Sequence, residues 1–333
     1  MNKRLLRGFE VRALITGITG QDGGYLAERL LQDGYQVHGL VHNGDSSVNV
    51  LRTRSPSIIL HQGDLRDADS LSVAITEANP DEVYNLASTS SVAFSWEKPV
   101  TTADVTALGT ARLLHEIRLH QDKTGCPVRF IQASSAEIFG NAVGIQDENT
   151  PLNPVSPYGA AKAFAHQLVG IYRQTGLFAI SLIFFNHESP RRPVTFVTRK
   201  ITKGVANIVN GQETELVLGN LDARRDWGWA PDYVDAMVRA ARATAPEDFV
   251  IATGETHSIR EFALAAFSRA GIENGESRIR IDDSIKRPND PSTFVGDASK
   301  AKRLLGWKPL VGFKEIVDRM VDNDLDCWRP LKS

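Results

Sequence analysis

Short apolar runs alternate with amphipathic stretches through the first half of the chain, and that rhythm predicts its architecture. Apolar runs suited to strands fall at residues 11–16, 36–41, 57–61, 82–86, 129–133 and 179–185, with helical periodicity between them, first at 22–32. Strands separated by helices cannot close hairpins, so they should lie parallel, with helices on both faces and ligands at their C-terminal ends. The predicted fold class is α/β, a doubly wound parallel sheet over residues 10–185. After Asn186 the rhythm breaks up. Pro190, Pro193 and Asn210-Gly211 interrupt it, a short strand is readable at 215–218, and helices return at 233–244 and 259–269. Residues 186–330 are therefore expected to be mainly a smaller substrate-binding lobe, with some segments returning to the sheet.

Directly after the first strand, Gly17, Gly20 and Gly23 recur every third residue and open onto the 22–32 helix. Glycines there let the backbone approach a pyrophosphate, and the helix N-terminus aims its free N–H groups and dipole at the charge. This is the setting a Rossmann fingerprint requires, so Gly17, Thr19, Gly20, Gln21, Asp22 and Gly23 are expected to hold a dinucleotide. The second strand ends in Val41-His42-Asn43-Gly44, which lacks both the acid that NAD enzymes place there and an arginine for a 2′-phosphate. Asp45 is the NAD-type candidate; Arg52 and Arg54 are the cations within folding-back distance. Later strand ends carry Asp64-Leu65, suited to the adenine edge, and Leu86-Ala87-Ser88, suited to the level of the phosphates.

The segment 132–140 leaves a buried strand and delivers Ser134, Ser135 and Glu137 to its C-terminal end, and downstream Tyr158 and Lys162 stand four apart on one helix face. A phenol of pKa ~10 is a poor base until a neighbouring ammonium favours its phenolate. Tyr158 then suits proton removal from a sugar hydroxyl, with Ser135 orienting the oxygen. Tyr-x-x-x-Lys alone is a weak signal; its place after a Rossmann turn and a serine-ended strand strengthens it.

Composition narrows the class. At 333 residues, 42% hydrophobic and 23% charged, the chain can bury one large core or two modest ones. With 38 Lys+Arg against 40 Asp+Glu, the net charge of −2 offers no basic footprint for nucleic acid or a membrane surface, so an anionic ligand must be held locally. Cys126 and Cys327 have no metal-type or disulfide spacing and fit a reducing compartment. No apolar run reaches the ~18 residues of a membrane span, and a cytoplasmic protein is expected.

The blocks 17–23, Ser156-Pro-Tyr-Gly159, 185–192 (Phe-Asn-His-Glu-Ser-Pro-Arg-Arg), 196–201, 218–222, 225–228 and 252–255 follow one another in an order that chance does not assemble. Across nearly the whole chain the sequence resembles the GDP-mannose 4,6-dehydratases, extended members of the short-chain dehydrogenase/reductase superfamily. The resemblance implies internal redox: hydride leaves C4 for the cofactor, water is lost across C5 and C6, and the hydride returns to C6. Ser135 takes the usual Thr or Ser place, Glu137 that of the C5 base, and Tyr158 and Lys162 complete the set. His42, Asn43, His187 and Arg192 join the cofactor contacts, as do Tyr158 and Lys162. Ser90, Asn186, Arg191, Val197, Lys200, Leu218, Gly219, Asn220, Arg225, Arg287 and Asp290 join Glu137 as substrate contacts, with the arginines suited to a diphosphate. For His187 a purely structural role is the more expected one. The implied partners are NADP, with NAD as the alternative, GDP-mannose or a close GDP-sugar, and a second copy of the chain in a homodimer, with a tetramer as the alternative.

Three positions depart from the family pattern. His42-Asn43 and a shortened loop replace paired arginines, Ala136 stands where an acid or hydroxyl residue is usual, and Asp290 replaces a glutamate. Glu137 would then serve as base and acid in turn. A 4-reductase or epimerase on a related GDP-sugar shares Tyr158 and Lys162, and a non-catalytic dinucleotide-binding regulator is the reading from another class.

Overall fold

In the computed structural model, which describes residues 10–285, 289 and 293–328, β1 (Arg12–Thr16), β2 (Gln36–Val41), β3 (Ile59–Gln62), β4 (Glu82–Asn85), β5 (Arg129–Ser135) and β6 (Phe178–Phe184) pair in parallel in the order β6-β5-β4-β1-β2-β3. The predicted strands are all present, to within two residues at each end. Successive residues of β1 explain why the sheet is covered on both faces. Ile15 packs with Leu26, Tyr84 and Met237 on one side, whereas Leu14 packs with Val83, Leu113 and Phe130 on the other. Each such fully buried side chain contributes roughly 1.5–3 kcal/mol relative to exposure.

The crossovers are α1 (Gln21–Gln32), α2 (Val48–Arg54), α3 (Ala68–Ala78), α4 (Val92–Glu97), α5 (Pro99–Thr102), α6 (Gly109–Thr124) and α7 (Pro157–Gln174). A π-helical stretch, Ala103–Leu108, joins α5 to α6, so this side of the sheet carries one irregular helix that period counting does not resolve. Asp67 starts α3 by accepting from the backbone N–H groups of Asp69 and Ser70, and Gly125, at φ +68°, ends α6.

Beyond β6 the chain builds the lobe from short pieces. These are β7 (Asn186–Glu188), α8 (Val197–Val209), β8 (Leu216–Leu218), β9 (Arg224–Arg225) and β10 (Trp227–Trp229). It then returns: α9 (Ala230–Ala241) packs on α1, and β11 (Phe249–Ile251) adds a seventh parallel strand beside β6. The helix expected from residue 233 begins at Ala230, where Pro231 occupies the first turn, and a three-residue strand such as β11 is too short to show periodicity. β12 (His257–Ser258), α10 (Ile259–Arg269) and β13 (Ile279–Ile281) follow, then α11 (Ser299–Leu305) and α12 (Phe313–Asp326). The lobe has its own core, in which Ile201, Val205, Trp227, Phe262, Phe267 and Met320 meet. Among the described residues no helix is long and apolar enough to cross a membrane, and no cluster of three or more His, Cys, Asp or Glu suits a metal. Cys126 and Cys327 are free and exposed.

Candidate active site

The C-terminal ends of β1, β4 and β5 are stitched by buried polar side chains. Thr16 Oγ1 donates to Asn85 Oδ1 at 2.6 Å, and Asn85 Nδ2 donates to Gln132 Oε1 at 2.8 Å. These bonds level the three strand ends, and the cleft opens above them. Gly17, at φ +69°, crosses so near the neighbouring turn that a Cβ there would lie 2.7 Å from the Ala87 nitrogen; one on Gly23 would lie 2.3 Å from the Gly17 oxygen. The turn can therefore be built only of glycine at these points. Gly20 caps α1 without a side-chain acceptor, which leaves first-turn N–H groups for an anion.

A cleft of 630 Å³ runs from this turn to the ends of β5 and β6. It gathers Gly17, Thr19, Gly20, Gln21, Asp22, Gly23, His42, Asp64, Leu65, Leu86, Ala87, Ser88, Ser90, Ser135, Glu137, Tyr158, Lys162, Asn186, His187 and Arg192, all expected from sequence. The length of the lining, its glycine cradle at one end and the buried lysine at the other fit a dinucleotide. Gln21 and Asp22 also tie α1 to the start of the lobe. Ser189 Oγ donates to Gln21 Oε1 at 2.8 Å, and His187 Nε2 lies 2.8 Å from Asp22 Oδ2. The other ring nitrogen of His187 lies 2.8 Å from the Phe185 carbonyl oxygen, and the ring stacks on Tyr233 at 4.5 Å. Both nitrogens are thus engaged, as a structural histidine requires. Burial pushes Asp22 up, but the charge and hydrogen bond of His187 outweigh it and hold the carboxyl below its usual range.

Ser135 closes β5 and caps the short 3₁₀ turn Ala136–Ile138, its Oγ accepting from the Glu137 N–H at 3.3 Å. Across from it, Ser156 caps α7 and presents Tyr158 and Lys162 one turn apart. Gly159 lets the two segments meet, since a Cβ there would lie 2.6 Å from the Glu137 oxygen. Lys162 Nζ donates to the Ala133 oxygen at 2.8 Å and lies 5.8 Å from the Tyr158 ring centre. Burial pushes the lysine down to about 8, against the pull of Asp22. Burial pushes the Tyr158 phenol up, the Ser135 hydrogen bond opposes this and the Glu137 carboxylate adds to it, so the phenol is firmly protonated.

A second chamber of 250 Å³ shares Asn186, Arg192 and Phe196 with the first and is lined by Val197, Lys200, Leu218, Gly219, Asn220 and Arg225. Arg192, Lys200 and Arg225 concentrate cations in a protein of nearly neutral charge. Arg192 is aimed by a 2.9 Å ion pair with the buried Glu188, and the Arg225 guanidinium lies over Phe294 at 5.1 Å.

Two expected contacts lie elsewhere. Arg191 turns away from both chambers, stacked 3.8 Å over Tyr25 and paired with Glu28 at 2.9 Å. Asn43 is exposed outside the lining, its carbonyl oxygen 2.9 Å from the His42 ring. Arg287 and Asp290 fall outside the described residues. Sequence reasoning missed Arg66, which lines the cleft two residues after Asp64, and the helical wall of Thr101 and Val105. The strand-end position of Asp64 was a usable signal for Arg66; the π-helical wall had none.

A profile of the family described as GDP-mannose 4,6 dehydratase matches residues 14–320. The chain belongs to the GDP-mannose 4,6-dehydratase family. Among members of that family, GDP-mannose 4,6 dehydratase 1 of Arabidopsis thaliana is 47% identical, covering 94% of this chain and 90% of the relative. The human GDP-mannose 4,6 dehydratase is 45% identical over 95% and 92%. Among solved structures, a Thermus thermophilus UDP-glucose 4-epimerase in complex with NAD is 27% identical, with a TM-score of 0.83 over 94% of this chain and 99% of that one. A Bacillus anthracis dTDP-glucose 4,6-dehydratase in complex with NAD shares the fold at TM-score 0.80 and 21% identity, over 94% and 96%.

Proposed function

We propose that this protein is a nucleotide-sugar 4,6-dehydratase that converts GDP-mannose, or a close GDP-sugar, to its 4-keto-6-deoxy product. The observation that carries the reading is the convergence of Ser135, Glu137, Tyr158 and Lys162 in one cleft that shares a wall with a cation-lined chamber. A nicotinamide dinucleotide, when bound along the glycine turn, supplies a hydride acceptor, a hydride donor and a positive charge beside the phenol. Beside the Lys162 ammonium and that positive charge Tyr158 ionises, its phenolate takes the C4 hydroxyl proton, and Ser135 holds that oxygen by hydrogen bonding. Once C4 is a ketone, the C5 proton is acidic and Glu137 removes it. Ala136 offers no proton, so Glu137 delivers the one it has gained to the departing C6 hydroxyl, and water leaves. Arg192, Lys200 and Arg225 hold the diphosphate.

NADP is the cofactor that the family resemblance implies and NAD the alternative; the ribose end of the cleft favours the alternative, as argued below. A homodimer fits the apolar Phe94, Trp96, Val100, Phe164 and Ile171, exposed on the neighbouring α4, α5 and α7. A cytoplasmic setting suits the two free, exposed cysteines.

Glu137→Gln tests the assignment. The variant should bind GDP-mannose within a few-fold of the parent, while water loss and solvent exchange of the C5 hydrogen both disappear. Retained water loss would remove Glu137 from the mechanism.

A further inference from the structure

We infer that Asp45 makes this cleft select NAD over NADP, an inference that rests on the reading above that the cleft holds a nicotinamide dinucleotide. Beside the end of β2 the cleft is lined by Thr19, His42, Asp45, Asp64 and Arg66. An acid near this strand end is the group that meets the hydroxyls of an unmodified adenosine ribose. Asp45 stands four residues past Val41, and the turn folds it back onto the glycine motif. Thr19 Oγ1 donates to its Oδ2 at 2.7 Å, and the Ser47 N–H donates to its Oδ1 at 2.9 Å. Two bonds from two directions fix the carboxylate against the cradle. Burial pushes Asp45 up, but those hydrogen bonds outweigh it and hold the carboxyl below its usual range, so it is charged at neutral pH.

A fixed carboxylate accepts well from ribose hydroxyls and repels the nearly dianionic 2′-phosphate of NADP. Relief would need cations free to turn toward that phosphate. Arg66 is committed, with Nη2 donating to Asp64 Oδ2 at 2.6 Å and Nε donating to Asp64 Oδ1 at 3.0 Å. Arg52 and Arg54 are exposed on α2, outside the lining. His42 brings an imidazole whose Nδ1 lies 2.9 Å from the Asn43 carbonyl oxygen. The described lining of this end thus sets two carboxylates against one arginine, and that arginine is paired with one of them. Seating a 2′-phosphate would require both drawing Arg66 off Asp64 and protonating or displacing Asp45.

The test is calorimetric titration of the purified protein and of Asp45→Asn with NAD⁺ and NADP⁺ separately. The parent should bind NAD⁺ on the order of tenfold or more tightly than NADP⁺, about 1.4 kcal/mol per tenfold. Asp45→Asn keeps an acceptor for Ser47 and should bring the ratio toward one, chiefly by tightening NADP⁺. Asp45→Ser supplies the same comparison should the asparagine variant lose its native circular dichroism. Equal or tighter binding of NADP⁺ by the parent, or an unchanged ratio in the folded variant, overturns the inference and leaves the cofactor reading standing. Binding of neither dinucleotide overturns both.

Discussion

Tyr158 and Lys162 are buried together, and each is pushed by that burial toward its uncharged form. The pair is therefore poised against ionisation until a cation and a sugar hydroxyl join it. Tyr158→Phe should fold normally yet slow the first oxidation by about 10²–10⁴-fold, read as reduced dinucleotide formed in a single turnover. An unchanged rate would place the base elsewhere. Lys162 offers a second test, in stability. Its pKa in the folded protein is about 8 and that of an unfolded lysine about 10.4. Between those values the unfolded chain holds the extra proton, so stability from this group rises with pH across the window. In the dinucleotide-free protein, moving from pH 7 to 9.5 should improve the parent by roughly 1–2 kcal/mol relative to Lys162→Met in urea unfolding. A parallel response of the two proteins would contradict the buried, charge-averse lysine. At this scale sequence reading succeeds where spacing alone decides position, as for Tyr158 and Lys162. It fails at Arg191, whose direction is set by the Ser189 turn and by Glu28, whereas its neighbour Arg192 stays in the cleft, paired with Glu188.

The elements that hold these residues are joined by few, specific contacts. The start of α1 is fastened to β7 by Asp22 with His187 and by Gln21 with Ser189. Because the Asp22 carboxyl lies below its usual range, it contributes stability that is present above the ordinary carboxylate pKa and lost as pH falls through the depressed value. Asp22→Asn should cost about 1–3 kcal/mol at pH 7, with the gap from the parent closing in acid; a constant gap would mean the charge is irrelevant. Gly17→Ala combines a positive φ with a contact 2.7 Å from the Ala87 nitrogen. It should lower the thermal midpoint and weaken dinucleotide binding together. The inner strands were legible because they are buried on both faces, while β3, at the sheet edge, is exposed at Ile59 and Gln62. β11 and the π-helical stretch Ala103–Leu108 were not, since one is too short for a period and the other departs from the helical period.

The whole molecule explains why the chemistry closes on itself. Residues from Asn186 onward build most of the cation-lined chamber and then return to the sheet through α9 and β11, so the two chambers, proposed to hold sugar and dinucleotide, share Asn186, Arg192 and Phe196 as one wall. A hydride taken from the sugar need not leave the protein before it is returned. The α/β class and both halves of the site were legible in the strand ends and motifs, whereas their common wall depends on chain reversals that no local pattern encodes. The deciding measurement is a mass spectrum of GDP-mannose incubated with the protein and a dinucleotide at far below stoichiometric amount. Expected is complete conversion to a product lighter by one water, with no net change in reduced dinucleotide. An unchanged sugar, here and with close GDP-sugars, would contradict a dehydratase, and a product that consumes reduced dinucleotide mole for mole would point instead to a reductase.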